Sequence, residues 1–142
     1  MIYLDTTVIA ALLMQEPNSP AAAKWYTACA DELVSSVWSM TEFSQVLAWK
    51  QRSKQLSDAQ ARSVWDGFQR FITNDLRLLP VDALDYHRAS QLAQDVAGTL
   101  QAGEALHLAA AERARSEGIA TLNEVVARYA QKIKLKPVAL TA

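Results

Sequence analysis

Residues 100–122 read LQAGEALHLAAAERARSEGIATL, and the rest of the chain is best interpreted outward from this stretch. It predicts a helix, ended by Gly118 as a left-handed cap residue, that leads into a buried strand over 119–122. One carboxylate, Glu104, stands in the first turn of that helix among alanines and leucines. Because a charge in an apolar setting is neutralised, paired or bound to a metal, Glu104 requires a partner from elsewhere in the chain.

Short apolar runs alternate with helical patterns along the whole sequence. The predicted strands are residues 2–4, 33–36, 76–81, 119–122 and 137–140, the last at a sheet edge where a proline is tolerated. The predicted helices follow Asp5, span 21–31, start at 37 and at 58, and span 82–96 and 124–133. This alternation predicts an α/β fold, a three-layer sandwich around a mostly parallel central sheet of four to five strands.

Composition indicates an ordinary globular chain. The 142 residues, 51% hydrophobic and 20% charged, are expected to form a single domain over 1–142. A net charge of -1 gives no global basic field, which counts against a protein that holds nucleic acid mainly by electrostatics but allows an RNA-processing enzyme with local basic patches. Cys29 is the only cysteine, which fits a reducing compartment, and Val8–Met14 is too short to span a bilayer. We therefore expect a cytoplasmic protein with no membrane partner.

Acidic residues recur where the predicted strands end. Asp5 follows the first strand, Glu42 lies one to two turns beyond the second, Asn123 closes the fourth, and Glu104 begins the helix that feeds the fourth. Because ligands of parallel sheets sit beyond the carboxyl ends of the strands, these three carboxylates and one amide can converge at one edge. Such an oxygen-rich set, without thiols or a histidine pair, selects a hard cation such as Mg²⁺ or Mn²⁺. This cation could activate water for phosphodiester hydrolysis.

Each of these residues also has a purely structural interpretation, which the sequence leaves open. Asp5 could cap the helix after it, and Glu42 could close a capping box that starts at Ser39. Glu104 could be a first-turn acid favoured by the helix dipole, and Asn123 could be a helix cap or turn residue.

Other chemically capable side chains are assigned to packing. His107, three residues after Glu104, is interpreted as a packing or supporting histidine, because no second His or Cys lies at metal-ligand spacing. The aromatic residues Trp65, Phe68 and Phe71 are interpreted as core or subunit interface and not as a platform for stacking RNA bases.

Four segments together resemble a known family. The pieces IYLDTTVIAALL, SMTEFSQVLA, LQAGEALHLAAA and GIATLN, in this order and at these separations, resemble the PIN domain, and in particular the VapC-like ribonuclease toxins of bacterial toxin-antitoxin modules. The resemblance implies a central parallel sheet between helices and an acidic magnesium site that cuts single-stranded RNA, leaving a 5′-phosphate and a 3′-hydroxyl. It also implies a homodimer and an antitoxin segment that lies in a hydrophobic groove, with Trp25, Trp65 and Phe68 as candidates for these surfaces.

The resemblance assigns roles residue by residue. The family's first aspartate falls on Asp5, with its neighbouring hydroxyl on Thr6, and its glutamate falls on Glu42. Glu104 and Asn123 fall where the family usually has two further aspartates. The implied catalytic set is thus Asp5, Glu42, Glu104 and Asn123, with the first three as ligands of Mg²⁺ and Asn123 orienting water or a second ion.

Two departures from the family pattern open a rival hypothesis. Glu104 is one methylene longer than aspartate, and Asn123 lacks the charge, which together imply weakened metal affinity. The rival is a catalytically weak or inactive PIN-fold protein that binds RNA or a protein partner. A phosphatase of the haloacid dehalogenase type is disfavoured, because Thr7 stands where that family commonly has a second aspartate.

Overall fold

Five strands form one parallel sheet in the computed structural model, which describes residues 1–140. The strands are β1 (Ile2–Leu4), β2 (Leu33–Ser36), β3 (Leu76–Leu79), β4 (Gly118–Ala120) and β5 (Lys136–Val138). They lie in the order β3-β2-β1-β4-β5, and every neighbouring pair is parallel. The predicted α/β class is confirmed, and β5 occupies a sheet edge, as its proline required.

Within residues 1–140, seven helices cover the two faces of this sheet. They are α1 (Thr6–Leu13), α2 (Ser19–Ala28), α3 (Trp38–Arg52), α4 (Asp58–Asn74), α5 (Ala83–Ala93), α6 (Ala102–Arg113) and α7 (Glu124–Lys132). Successive residues of β1 point to opposite faces. Accordingly, Ile2 and Leu4 pack with α1, α3 and α4, whereas Tyr3 packs with α6 and α7. Helix α5 packs against α6. The sheet therefore lies between two layers of helices.

The order of the strands places a topological switch beside β1. The chain leaves β1 for β2 and β3 on one side and then returns to β4 on the other side. Crevices outside the carboxyl ends of such strands are the usual ligand sites of open parallel sheets. Asp5, the first residue after β1, stands at this switch.

The predicted helix end at Gly118 is wrong. Helix α6 already ends at Arg113, and the left-handed residue after it is Arg115, with φ of 57°. No glycine among residues 1–140 has a positive φ. Gly118 instead begins β4, where a Cβ atom would lie 2.7 Å from the backbone oxygen of Lys136 in β5. The glycine is therefore needed for the close approach of two strands and not for a cap.

Other predicted boundaries extend too far by a few residues. The third strand ends at Leu79, the second helix at Ala28 and the fifth helix at Ala93. The periodicity of side chains along the sequence does not show where the last backbone hydrogen bond of an element forms.

The aromatic cluster of α3 and α4 lies in the core. Phe68 is fully buried and stacks on Phe43 and Trp65 at centroid distances of 4.6 and 5.2 Å. The interpretation of Phe68 as a core residue is confirmed, and its candidacy for a docking surface is wrong. Trp25 and Trp65 are partly buried against the same core.

Within residues 1–140, no helix combines the length and hydrophobicity that crossing a bilayer demands.

Replacing Gly118 by alanine should destabilise the protein. The new Cβ atom would meet backbone, which cannot move aside cheaply, so Gly118→Ala should lower the free energy of unfolding by about 1–3 kcal/mol in urea denaturation. Gly67→Ala in α4 is the matched control, because the nearest atom there is the end of the flexible Arg70 side chain at 3.7 Å. That control should gain up to about 1 kcal/mol from helix propensity. Equal stability of Gly118→Ala and wild type would contradict the close approach.

Candidate functional site

A cavity of about 630 Å³ opens where β1, β2 and β4 end. All four residues predicted for the site line it: Asp5, Glu42, Glu104 and Asn123. His107 lines it as well. The four side chains that were expected at one edge of the sheet therefore line one cavity. Their roles stay predictions.

Asp5 is held by the start of α1 and by the end of β4. Its Oδ1 accepts hydrogen bonds from the backbone N–H and the hydroxyl of Thr7, at 3.0 and 2.5 Å, and from the N–H of Val8 at 3.3 Å. Its Oδ2 accepts from the hydroxyl of Thr121. Burial raises the pKa of the Asp5 carboxyl, although nearby His107 and the hydrogen bonds oppose this. Asp5 therefore is the helix cap that one interpretation foresaw and also faces the cavity.

Glu42 extends from the second turn of α3 across to the opposite helical layer. Its Oε1 accepts a hydrogen bond from the Thr6 hydroxyl at 2.6 Å and lies 2.5 Å from His107 Nε2. The capping-box alternative does not apply, because α3 begins at Trp38 and Ser39 bonds Ser35 instead. Burial would raise the pKa of Glu42, but the hydrogen bond and charge interaction with His107, together with Thr6 and Trp38, outweigh it and hold that pKa below its ordinary value.

Glu104 and Asn123 bind each other. Asn123 caps α7, since its Oδ1 accepts from the N–H groups of Val125 at 2.8 Å and Val126 at 3.3 Å. This fixes the orientation of the amide and turns Nδ2 towards Glu104, to whose Oε2 it donates. The other oxygen of Glu104 accepts from the backbone N–H of Gln101 at 2.8 Å. An aspartate at 123 could cap the helix too, but it could not donate to Glu104.

Carboxylate oxygens are the ligands that a hard divalent cation prefers, and Asp5, Glu42 and Glu104 supply them at the cavity. Among residues 1–140, no group of three or more His, Cys, Asp and Glu side chains is placed to hold a metal ion. A carboxylate offers about four acceptor positions, and Glu42 and Glu104 each use two of them, so both keep room for a cation. Asp5 accepts four hydrogen bonds, but three of them fall on Oδ1, so Oδ2, which accepts only from Thr121, keeps one free position. Oxygen ligands of this kind match Mg²⁺ or Mn²⁺ and would have to draw together around the ion.

Several residues that support the site could not be identified from local sequence patterns. In the sequence, Tyr3 and Thr121 look like ordinary residues of predicted buried strands. In the structure, Tyr3 contacts His107 and Thr121 contacts Asp5. These partners are more than one hundred positions apart along the chain. Only the hydroxyl on a residue directly after a strand, as at Thr121, could have suggested a donor to the site.

Comparison with known families and structures agrees with the fold. The family model of the PIN domain matches residues 2–132. No curated protein sequence matches the chain.

Several solved structures share the fold at low sequence identity. VapC20 of Mycobacterium tuberculosis, described as a toxin that cleaves the sarcin-ricin loop, is 14% identical with a TM-score of 0.73, covering 91% of this chain and 95% of its own. FitAcB of Neisseria gonorrhoeae is 18% identical with a TM-score of 0.68, covering 99% and 98%. VapBC2 of Rickettsia felis, bound to a promoter DNA fragment, is 17% identical with a TM-score of 0.66, covering 97% and 98%.

Asn123→Asp should destabilise the metal-free protein. A carboxylate would face Glu104 in place of the amide donor, so the lost hydrogen bond and the repulsion should lower the free energy of unfolding by about 1–3 kcal/mol in urea with EDTA present. The double variant Glu104→Gln/Asn123→Asp restores a donor and an acceptor with their positions exchanged, and it should regain most of that loss. A single variant as stable as wild type would show that the pair does not form.

Proposed function

The chain belongs to the PIN domain family, and we propose that it is a metal-dependent endoribonuclease, the toxin of a type II toxin-antitoxin module, that hydrolyses phosphodiester bonds of single-stranded RNA. The observation that carries the proposal is the meeting of Asp5, Glu42 and Glu104 in one cavity at the carboxyl edge of the sheet. The proposal treats residues 1–142 as a single domain that acts in the cytoplasm.

The three acids differ in their surroundings. Asp5 is the most enclosed, at 3% exposure, and its raised pKa means that a positive charge beside it would favour the ionised form. Glu42 is already stabilised as a carboxylate by His107 and Thr6. Glu104 accepts one hydrogen bond on each oxygen, from Gln101 and from Asn123.

These three carboxylates would hold Mg²⁺, or Mn²⁺ in its place, which when bound lowers the pKa of a coordinated water and neutralises charge on the phosphoryl oxygens. Asn123 would act by holding Glu104, because its Oδ1 is occupied by the start of α7. The remaining volume of the cavity, lined by Thr41, Gln45 and Gln101, offers polar groups for an RNA segment.

The proposal includes a protein antitoxin and a homodimer. Support comes from structures of the same fold that are described as toxin-antitoxin complexes, among them one from Klebsiella pneumoniae with 16% identity and a TM-score of 0.65, covering 99% of this chain and 98% of that one. In this chain Trp25 and Trp65 are the partly buried aromatic residues that an apolar partner segment could cover. A short reading frame beside the gene that encodes a DNA-binding protein would support the module.

A specific observation also favours the rival function, a PIN-fold protein that binds RNA or a protein without cleaving. Glu104 and Asn123 satisfy each other, and residues 1–140 contain no preformed cluster of three metal-binding side chains. In that case the purified, folded protein would bind RNA or its partner equally well in Mg²⁺ and in EDTA.

Glu104→Gln should abolish RNA cleavage. The substitution removes one charge from the proposed ligand set and keeps the size of the side chain, so the rate on a mixed single-stranded RNA pool in Mg²⁺ or Mn²⁺ should fall at least about a hundredfold. Gel analysis of the products, with EDTA as the blank, measures it.

Glu112→Gln is the matched control for this experiment. It makes the same change on the same helix, at a residue that pairs with Arg88 and does not line the cavity, so cleavage should persist. Full activity of Glu104→Gln would remove Glu104 from the site. Absence of metal-dependent cleavage by the folded wild-type protein would decide for the rival function.

A further inference from the structure

The contacts of Glu42 are unusual in that a single helix approaches both of its carboxylate oxygens. On one side, Oε1 lies 2.5 Å from Nε2 of His107 in α6 and accepts from the Thr6 hydroxyl at 2.6 Å. Because Thr6 donates its only proton to Glu42, its oxygen can act only as an acceptor towards His107 Nε2, 3.2 Å away. His107 and Thr6 thus fix the position of this oxygen from two different helices.

His107 is in turn held in place by the central strand. Its Nδ1 lies 2.8 Å from the hydroxyl of Tyr3, which donates to Ser36 at 2.9 Å. The rings of Tyr3 and His107 also meet edge to face, with centroids 5.7 Å apart. Tyr3 is fully buried and His107 is 3% exposed, so rotating the imidazole would leave a polar group unpaired in the interior. A chain of contacts therefore runs from Ser36 through Tyr3 and His107 to Glu42.

The second oxygen of Glu42 lies against Gly103. This glycine precedes His107 by one helical turn, so the two residues share one face of α6. A Cβ atom at Gly103 would come within 2.7 Å of Glu42 Oε2 and 3.2 Å of Trp38 Nε1. The buried indole N–H of Trp38 makes no hydrogen bond of good geometry within the described residues, but it helps to lower the pKa of Glu42. Only a residue without a side chain leaves room for the carboxylate here.

We propose that α6 positions the Glu42 carboxylate in the cavity, through the imidazole of His107 on one oxygen and the absent side chain of Gly103 beside the other. Both are positioning residues, since each acts through Glu42. The role in catalysis rests on the proposed nuclease function, whereas the positioning itself is a property of the metal-free protein and can be measured there.

The first test uses the metal-free protein. In long-range ¹H–¹⁵N spectra, the Nε2 resonance of His107 should show a hydrogen-bonded N–H, and both Glu42→Gln and Gly103→Ala should shift it. Gly67→Ala, at a glycine of α4 whose added Cβ atom would make only an ordinary contact with Arg70, should leave it unchanged. Thermal unfolding confirms that each variant is folded. If the Nε2 resonance of His107 is the same in Gly103→Ala as in the wild-type protein, the proposal is overturned.

The second test measures Mn²⁺ affinity by titration calorimetry and cleavage kinetics in parallel. Gly103→Ala and His107→Leu should weaken Mn²⁺ binding at least about tenfold and lower kcat more than they change KM. His107→Gln, which keeps a donor near the Nε2 position, should recover part of both losses. His87→Gln, at an exposed histidine of α5, is the control and should behave as wild type.

The outcomes separate the two proposals. Unchanged or tighter Mn²⁺ binding by Gly103→Ala and His107→Leu overturns the positioning role. If the wild-type protein neither binds Mn²⁺ nor cleaves RNA, the nuclease function fails, and the spectra of the metal-free protein still decide whether α6 positions Glu42.

Discussion

The structure depends on how the buried carboxylate of Asp5 is compensated. An acid at 3% exposure is costly unless donors replace the lost water, and these donors come from the start of α1 and from Thr121 beyond β4. The same hydrogen bonds therefore end β1, begin α1 and join β1 to β4 at the point where the order of the strands reverses. The cavity is a consequence, because it is bounded by elements that Asp5 holds together.

In this fold the structural and the chemical interpretation of an acidic residue are compatible. Asp5 caps α1, Asn123 caps α7, and Glu104 accepts a hydrogen bond from the start of its own helix. A residue that caps a helix after a short connection from a parallel strand necessarily stands at the carboxyl edge of the sheet. Side chains used as caps are thus gathered at the edge of the sheet where ligands of parallel sheets usually bind, and they line the cavity there.

Local patterns sufficed to predict the strands over residues 2–4 and 33–36 to the residue. The first is an apolar run that Asp5 ends, and the second is a short segment between two helical patterns. The rule that ligands sit beyond the strand ends predicted three of the acids that line the cavity, Asp5, Glu42 and Glu104, but not Glu16, which lines it as well. The close approach at Gly118 could not be predicted, because it depends on β5, whose pairing with β4 is not written in the local sequence. The partners of His107 were equally hidden, since Tyr3 lies at the other end of the chain and supplies its hydroxyl only once the sheet has formed.

Anomalous scattering from crystals grown with Mn²⁺ would show directly whether these side chains form one metal site. We expect one peak inside the cavity, in contact with carboxylate oxygens of Asp5, Glu42 and Glu104, with Asn123 still bound to Glu104. A crystal that contains saturating Mn²⁺ but shows no peak there, or shows it away from these three side chains, would contradict the claim that they form one metal site.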